Sequence, residues 1–162
     1  AQSIRVAGDA MNLAVQRYMR DVFRMDLGEN TAENVKKILG SAMPQANAPA
    51  LEVSGKDLVQ GTPRVVTVSE GHIREALREP IQAILETVLR ALEKTPPELS
   101  ADIYRNGMLM AGGGSLLKGL DQFIARETRL KVFVDKEPLT TVLRGTARAM
   151  LDRRAYHSVF IN

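Results

Sequence analysis

The sequence predicts an α/β fold in which a strand–turn–helix–strand unit follows a small α+β lobe. Three observations carry that prediction. Residues 107–124 read Gly-Met-Leu-Met-Ala-Gly-Gly-Gly-Ser-Leu-Leu-Lys-Gly-Leu-Asp-Gln-Phe-Ile, a short apolar strand, then Gly112, Gly113 and Gly114, then a helix. The helix is read from Leu116, Leu117, Leu120, Phe123 and Ile124, whose spacing puts them on one face. A second apolar segment at 131–134 closes a unit expected to be parallel and right-handed, with any site at the C-terminal edge of its strands. Upstream, two amphipathic helical patterns lead into two β-type segments, which supplies the α+β lobe.

Composition narrows the possibilities. At 162 residues the chain suits one domain to one and a half. With 44% hydrophobic residues, 4% aromatics and no tryptophan, its core is built from aliphatic side chains and methionine. The absence of cysteine excludes disulfides and thiolate chemistry, and two histidines, His72 and His157, exclude a His-rich metal site. The net charge of +3, from 22 basic and 19 acidic residues, is interspersed and lacks the aromatic interleaving of a nucleic-acid stripe, so no nucleic-acid partner is expected. No apolar run approaches transmembrane length, and no signal-peptide pattern opens the chain, so a cytoplasmic location is expected. The start at Ala1, without an initiator methionine, suggests a piece of something longer.

In order, residues 3–6 alternate and suggest a strand. Asp9 is the expected N-cap of a helix to about residue 24, with Met11, Ala14, Val15, Tyr18, Met19, Val22 and Phe23 buried. Residues 26–28 form a break. Asn30 and Glu33 have capping-box spacing at the start of a helix that Gly40 ends. A linker of small residues and prolines spans 41–49. Segments 51–54 and 64–69 are expected to pair as a hairpin. Ser69 is placed to cap a helix over 70–93 that Pro80 must kink or interrupt. Pro97 opens a short helix to Tyr104. After the glycine unit, residues 135–138 form a loop and 139–151 a last helix, with Leu139, Val142, Leu143, Ala147, Met150 and Leu151 on its apolar side. Residues 152–162 are an expected tail of poor order. The parallel unit shows two strands, or at most three with residues 3–6, which is few for this many flanking helices, so a partner piece of sheet is expected outside the chain.

The glycine turn bares backbone to a ligand, because no Cβ stands in the way. A tight turn that binds nothing satisfies the same residues, and the spacing matches neither Gly-x-Gly-x-x-Gly nor Gly-x-x-x-x-Gly-Lys-Ser/Thr. Three stretches add to it: Ser-Ile-Arg-Val-Ala-Gly-Asp (3–9), Thr-Ala-Glu-Asn-Val-Lys-Lys-Ile-Leu-Gly-Ser-Ala (31–42) and Met-Leu-Met-Ala-Gly-Gly-Gly-Ser-Leu-Leu-Lys-Gly-Leu-Asp (108–121). Together with Glu-Pro-Ile (79–81), Pro-Pro-Glu-Leu-Ser-Ala-Asp-Ile (96–103), Glu-Pro-Leu (137–139) and Val-Leu-Arg-Gly (142–145), they resemble the C-terminal portion of the MreB family of bacterial actin-like rod-shape proteins, up to about residue 151.

The resemblance implies a partial actin-like (ribonuclease H-like) lobe with an inserted small α+β subdomain. Residues 1–9 and 70–151 would form the incomplete lower subdomain and 10–69 the upper one. It implies ATP or ADP with Mg²⁺ between two lobes, the metal and phosphate ligands lying outside this chain, so that the fragment alone is inactive. Gly112, Gly113, Gly114 and Ser115 match the adenosine motif. Glu33, Lys36 and Lys37 match the helix facing it, and Gly8 and Asp9 the turn bordering the nucleotide. Glu33 would accept from ribose, and the lysine stems would cover the base. The implied partners are other copies in a filament that supports cell shape, the missing N-terminal part of the parent, and membrane-associated morphogenesis proteins at the inner face of the membrane. The chain departs from the family in having Ala7-Gly8-Asp9 for Gly-Gly-Asp and fewer glycines over 144–149. A non-catalytic actin-like interaction module is the alternative, and an unrelated nucleotide-binding α/β domain a third. Asp9 as a simple cap, Glu33 as half of a capping box, the lysines as a solvated face and His72 as a structural residue are the plain counterparts of these roles.

Overall fold

The computed structural model describes residues 2–4, 8–47, 49–152 and 154–156. The first helix, α1 (Gly8–Phe23), buries Met11, Val15 and Met19 along one face. Asp9 is not its N-cap. The helix begins at Gly8, which puts Asp9 inside the first turn, where a carboxylate complements the helix dipole. The expected strand at 3–6 is not formed at residues 3 and 4, and residues 5 and 6 lie outside the described part.

Where the sequence reading has a break, the chain turns through a left-handed Arg24 (φ 54°) into a two-residue strand, β1 (Met25–Asp26). Its pairing is long-range and so left no local trace. The next helix, α2 (Glu29–Leu39), starts one residue before Asn30, with Gly28 at its N-cap and no side-chain cap. The expected Asn30–Glu33 capping box is therefore absent, and Glu33 instead reaches Lys37 at 2.9 Å, one turn on.

The expected hairpin forms from β2 (Ala50–Asp57) and β3 (Pro63–Ser69), antiparallel, with β1 on the far side of β2. Asp57 holds its turn. One carboxylate oxygen accepts from the Val59 and Gln60 N–H groups at 2.7 and 2.9 Å, and the other from Arg64 at 3.2 Å. The Gln60 and Val59 backbone donors, with Arg64 adding to them, hold this carboxyl below its ordinary pKa. A pKa lower in the folded than in the unfolded chain stabilises the fold above the ordinary carboxylate value, about 3.9. That contribution is lost as pH falls through the lowered folded value. Asp57→Asn is therefore expected to be less stable than the native chain at neutral pH. The gap between the two in denaturant midpoints should close as pH falls below the ordinary carboxylate range and through the lowered folded value; a gap independent of pH would refute the assignment.

Ser69 caps α3 (Glu70–Ala76), and His72 returns the bond to the Ser69 N–H at 3.2 Å, which explains this histidine structurally. The long helix expected over 70–93 is divided at Leu77, after which α4 (Arg78–Glu93) begins. Pro80, which lacks an N–H and crowds the carbonyl four residues back, accounts for the division. Pro97 is the first residue of α5 (Pro97–Asn106). Then β4 (Met108–Met110) leads into the glycines. The helix expected directly after them is preceded by a 3₁₀ turn (Gly113–Leu116), and α6 (Leu120–Thr128) starts only beyond Gly119, whose φ is 71°. The second strand, β5 (Val132–Val134), runs parallel to β4, as the strand–turn–helix–strand pattern requires. Among the described residues this sheet has two strands.

One apolar cluster joins these parts, from Met11, Val15 and Met19 through Val35, Leu39, Val53, Val68, Ile73, Leu77 and Ile81 to Leu120 and Ile124. The last helix, α7 (Thr141–Leu151), stands outside it and buries no residue. Leu139, Val142, Leu143 and Leu151, expected on a buried face, are 71%, 76%, 71% and 88% exposed. The helix starts at Thr141, which leaves Leu139 in the preceding turn, and among the described residues no surface covers its apolar face.

Candidate functional site

Two groups of elements face each other across a cleft of about 680 Å³. One wall is α2, with Glu33, Lys36, Lys37 and Gly40, and beside it Gly8 and Met11 of α1. The other is the 3₁₀ turn, with Gly113, Gly114, Leu116 and Leu117, and past it Leu139. A second groove, of about 740 Å³ between α1, α3 and α4, contains none of the nucleotide-site residues expected from sequence.

The walls differ in chemistry. On α2, the Lys37 ammonium holds the Glu33 carboxyl below its ordinary pKa, mainly by their hydrogen bond. Lys36 donates to the Gly8 carbonyl at 3.1 Å, and burial lowers its pKa. On the opposite wall the backbone is bare. A Cβ built on Gly114 would meet nothing within 4 Å, and one on Gly113 would meet only Leu139 Cδ2, at 3.5 Å. These two glycines are therefore not required by the packing of the chain itself. Gly112, with φ 82°, is required by its turn.

The loop after β5 is part of this site. The Gly112 N–H donates to the Pro138 carbonyl at 2.7 Å and the Asp135 N–H to the Met110 carbonyl at 3.0 Å, which sets Leu139 across from Gly113. Arg144 of α7 donates to Glu137 and, at 3.5 Å, to Asp135. The Glu137 N–H above all, helped by Thr141 and Arg144, holds Asp135 below its ordinary pKa.

Of the residues picked from sequence, Gly8, Glu33, Lys36, Lys37, Gly113 and Gly114 line the cleft. Asp9, Gly112 and Ser115 do not. Asp9 is exposed on the first turn of α1. Ser115 is buried and spends its hydroxyl on the Gly112 carbonyl at 2.7 Å, closing the turn. Sequence reasoning missed Met11, Gly40, Leu116, Leu117 and Leu139 as lining residues. A signal for Leu139 did exist. In a parallel unit the loops after both strands meet at the same edge, so the loop after residue 134 belongs to any site formed by the loop after residue 110.

The model of the MreB/Mbl protein family matches residues 1–158. The chain belongs to the MreB/Mbl family. Among curated MreB/Mbl relatives it is 40% identical over 152 residues to the cell shape-determining protein Mbl of Bacillus subtilis (strain 168), covering 94% of this chain and 45% of that protein. It is 41% identical over 150 residues to the cell shape-determining protein MreB of Escherichia coli (strain K12), covering 93% and 43%. The chain thus spans less than half the length of these relatives. The crystal structure of MreB5 of Spiroplasma citri bound to ADP superposes with a TM-score of 0.89 at 31% identity, over 96% of this chain and 47% of that one. A MamK double helical filament, at 21% identity and a TM-score of 0.77, shares the fold. The expected fold, a partial actin-like lobe, is the one found.

Proposed function

We propose that this chain is the adenosine-binding part of an actin-like subunit that holds ATP or ADP with Mg²⁺ between two lobes and polymerises into filaments supporting cell shape. The observation that carries the reading is the cleft itself, where bare Gly113 and Gly114 backbone and three leucines face Glu33, Lys36 and Lys37. A purine is flat and apolar on its faces, and its ribose presents hydroxyl donors. Glycine backbone and leucine suit the faces, and the Glu33 carboxylate suits a hydroxyl. The MreB5 structures bound to ADP and to AMPPNP support nucleotide as the ligand. When bound, Mg²⁺ would neutralise phosphate charge, and the reading assigns its ligands to segments outside residues 1–162.

In the same reading, residues 10–69 form an upper subdomain and residues 1–9 with 70–151 a lower one. The uncovered face of α7 and the two-stranded sheet are completed by the N-terminal part of the parent. The hairpin tip, where Leu58 and Val59 are exposed, contributes to contacts between successive subunits. No helix among the described residues is long and apolar enough to cross a membrane, and work at the inner membrane face would go through other parts or partners.

Titration calorimetry with ATP and ADP tests the reading on two samples, the full-length parent and the 162-residue chain. The parent is expected to bind both nucleotides, and the chain alone weakly or not at all, because the electrostatic grip on the phosphates is missing. Steady phosphate release by the isolated chain would contradict it. A parent that binds no nucleotide would leave the non-catalytic interaction module as the better account.

A further inference from the structure

Next to the cleft, one residue ties its two walls together. Lys118 follows the 3₁₀ turn and is separated by about eighty positions from α2. Its ammonium donates to the Ile38 carbonyl at 2.7 Å, and its own carbonyl accepts from the Ala42 N–H at 2.8 Å and the Ser41 hydroxyl at 3.2 Å. Ser41 is fully buried, and its one hydroxyl proton is shared between the Lys118 and Met43 carbonyls. Gly119, in the left-handed region, brings the backbone against Met43, where a Cβ would stand at 3.1 Å. The neighbours of the tied residues are themselves walls of the cleft: Gly40 precedes Ser41 and Leu117 precedes Lys118.

We infer that Lys118 is a positioning residue for the nucleotide, setting the width of the slot between α2 and the glycine turn without touching the ligand. The inference rests on the nucleotide reading above. Ile38 is in the last turn of α2, where carbonyls lack partners inside the helix, and a lysine there satisfies one of them and complements the negative end of the dipole. Held so, α2 and the glycine turn present their groups at a fixed separation before the ligand arrives. With the ammonium removed, the backbone bonds persist but α2 gains open positions. Apparent affinity then falls by the fraction of molecules still correctly spaced.

Lys118 is exposed, so Lys118→Met retains the stem and folds. In the full-length parent, K118M is expected to weaken ADP and ATP binding roughly 3- to 10-fold, mostly through faster dissociation. Its melting midpoint without nucleotide should stay near the native value, and Lys118→Arg should restore affinity to within about twofold. Native dissociation constants and off-rates in K118M would overturn the inference. So would a lowered midpoint that tracks the affinity loss and that arginine does not rescue, since that marks a stability role only. Absence of nucleotide binding by the native parent is a separate result, which removes the nucleotide reading itself and this inference with it.

Discussion

Gly107→Ala is expected to destabilise the fold by about 2–5 kcal/mol, summing backbone strain and overpacking. Gly107 has φ 84° and ψ −167°, a region that side chains other than glycine almost never enter. Independently, an added Cβ would stand 2.6 Å from the Lys131 carbonyl oxygen and 2.9 Å from the Lys131 Cβ. That carbonyl cannot simply move away. It accepts the Met108 N–H at 2.8 Å and so starts the pairing of β4 with β5. Relief of the overlap therefore breaks the parallel ladder or the Gly107 N–H bond to Ile103, at 2.7 Å, that ends α5. Both outcomes shift β4, and β4 leads within two residues to the glycine turn. Urea unfolding of the full-length parent measures the effect as a fall in midpoint at constant slope. A loss under about 0.5 kcal/mol would mean that the strand edge is looser than these distances imply.

The contrast between what was and was not legible in the sequence follows from how far apart the interacting residues lie. Local chemistry read well. Ser69 as a cap, Pro97 as a helix opener, Pro80 as an interruption and the parallel pairing of 108–110 with 132–134 all depend on residues close in sequence or on a fixed topological rule. Readings failed where two local explanations competed. Asn30 and Glu33 have the spacing of a capping box, yet Gly28 starts the helix, and Glu33 has a better partner one turn on in Lys37. Features that depend on distant pairing were invisible. The strand Met25–Asp26 exists only because Lys56 and Asp57 lie beside it, and Gly40 lines the cleft together with Leu117, about eighty positions on. The apolar stripe of α7 is the opposite case. Its period was plain, but burial requires a second surface, and a sequence pattern carries no statement of which chain supplies it.

Gly113→Val is expected to abolish most nucleotide affinity while leaving the fold nearly untouched. Among the glycines of the turn, Gly112 has its own backbone reason to be glycine, with φ 82°. Gly113 has none. Its φ is outside the left-handed region, and a Cβ would meet only Leu139 Cδ2 at 3.5 Å, ordinary van der Waals contact. Leu139 is largely exposed and free to give way. The free chain therefore tolerates the added methyl groups, with a stability change within about 1 kcal/mol. A ligand does not, because those groups cover the bare glycine backbone against which a flat ring would lie, in the cleft that α2 faces. Forcing it in costs on the order of 1–3 kcal/mol, a loss of affinity of about 5- to 150-fold. Gly112→Val should behave differently, lowering the unfolding midpoint before any ligand is added. Measured side by side in the parent, the pair separates a glycine kept for its turn from one kept for its ligand. If Gly113→Val binds ATP and ADP as the native protein does, the bare backbone faces nothing, and the adenosine assignment of this cleft fails.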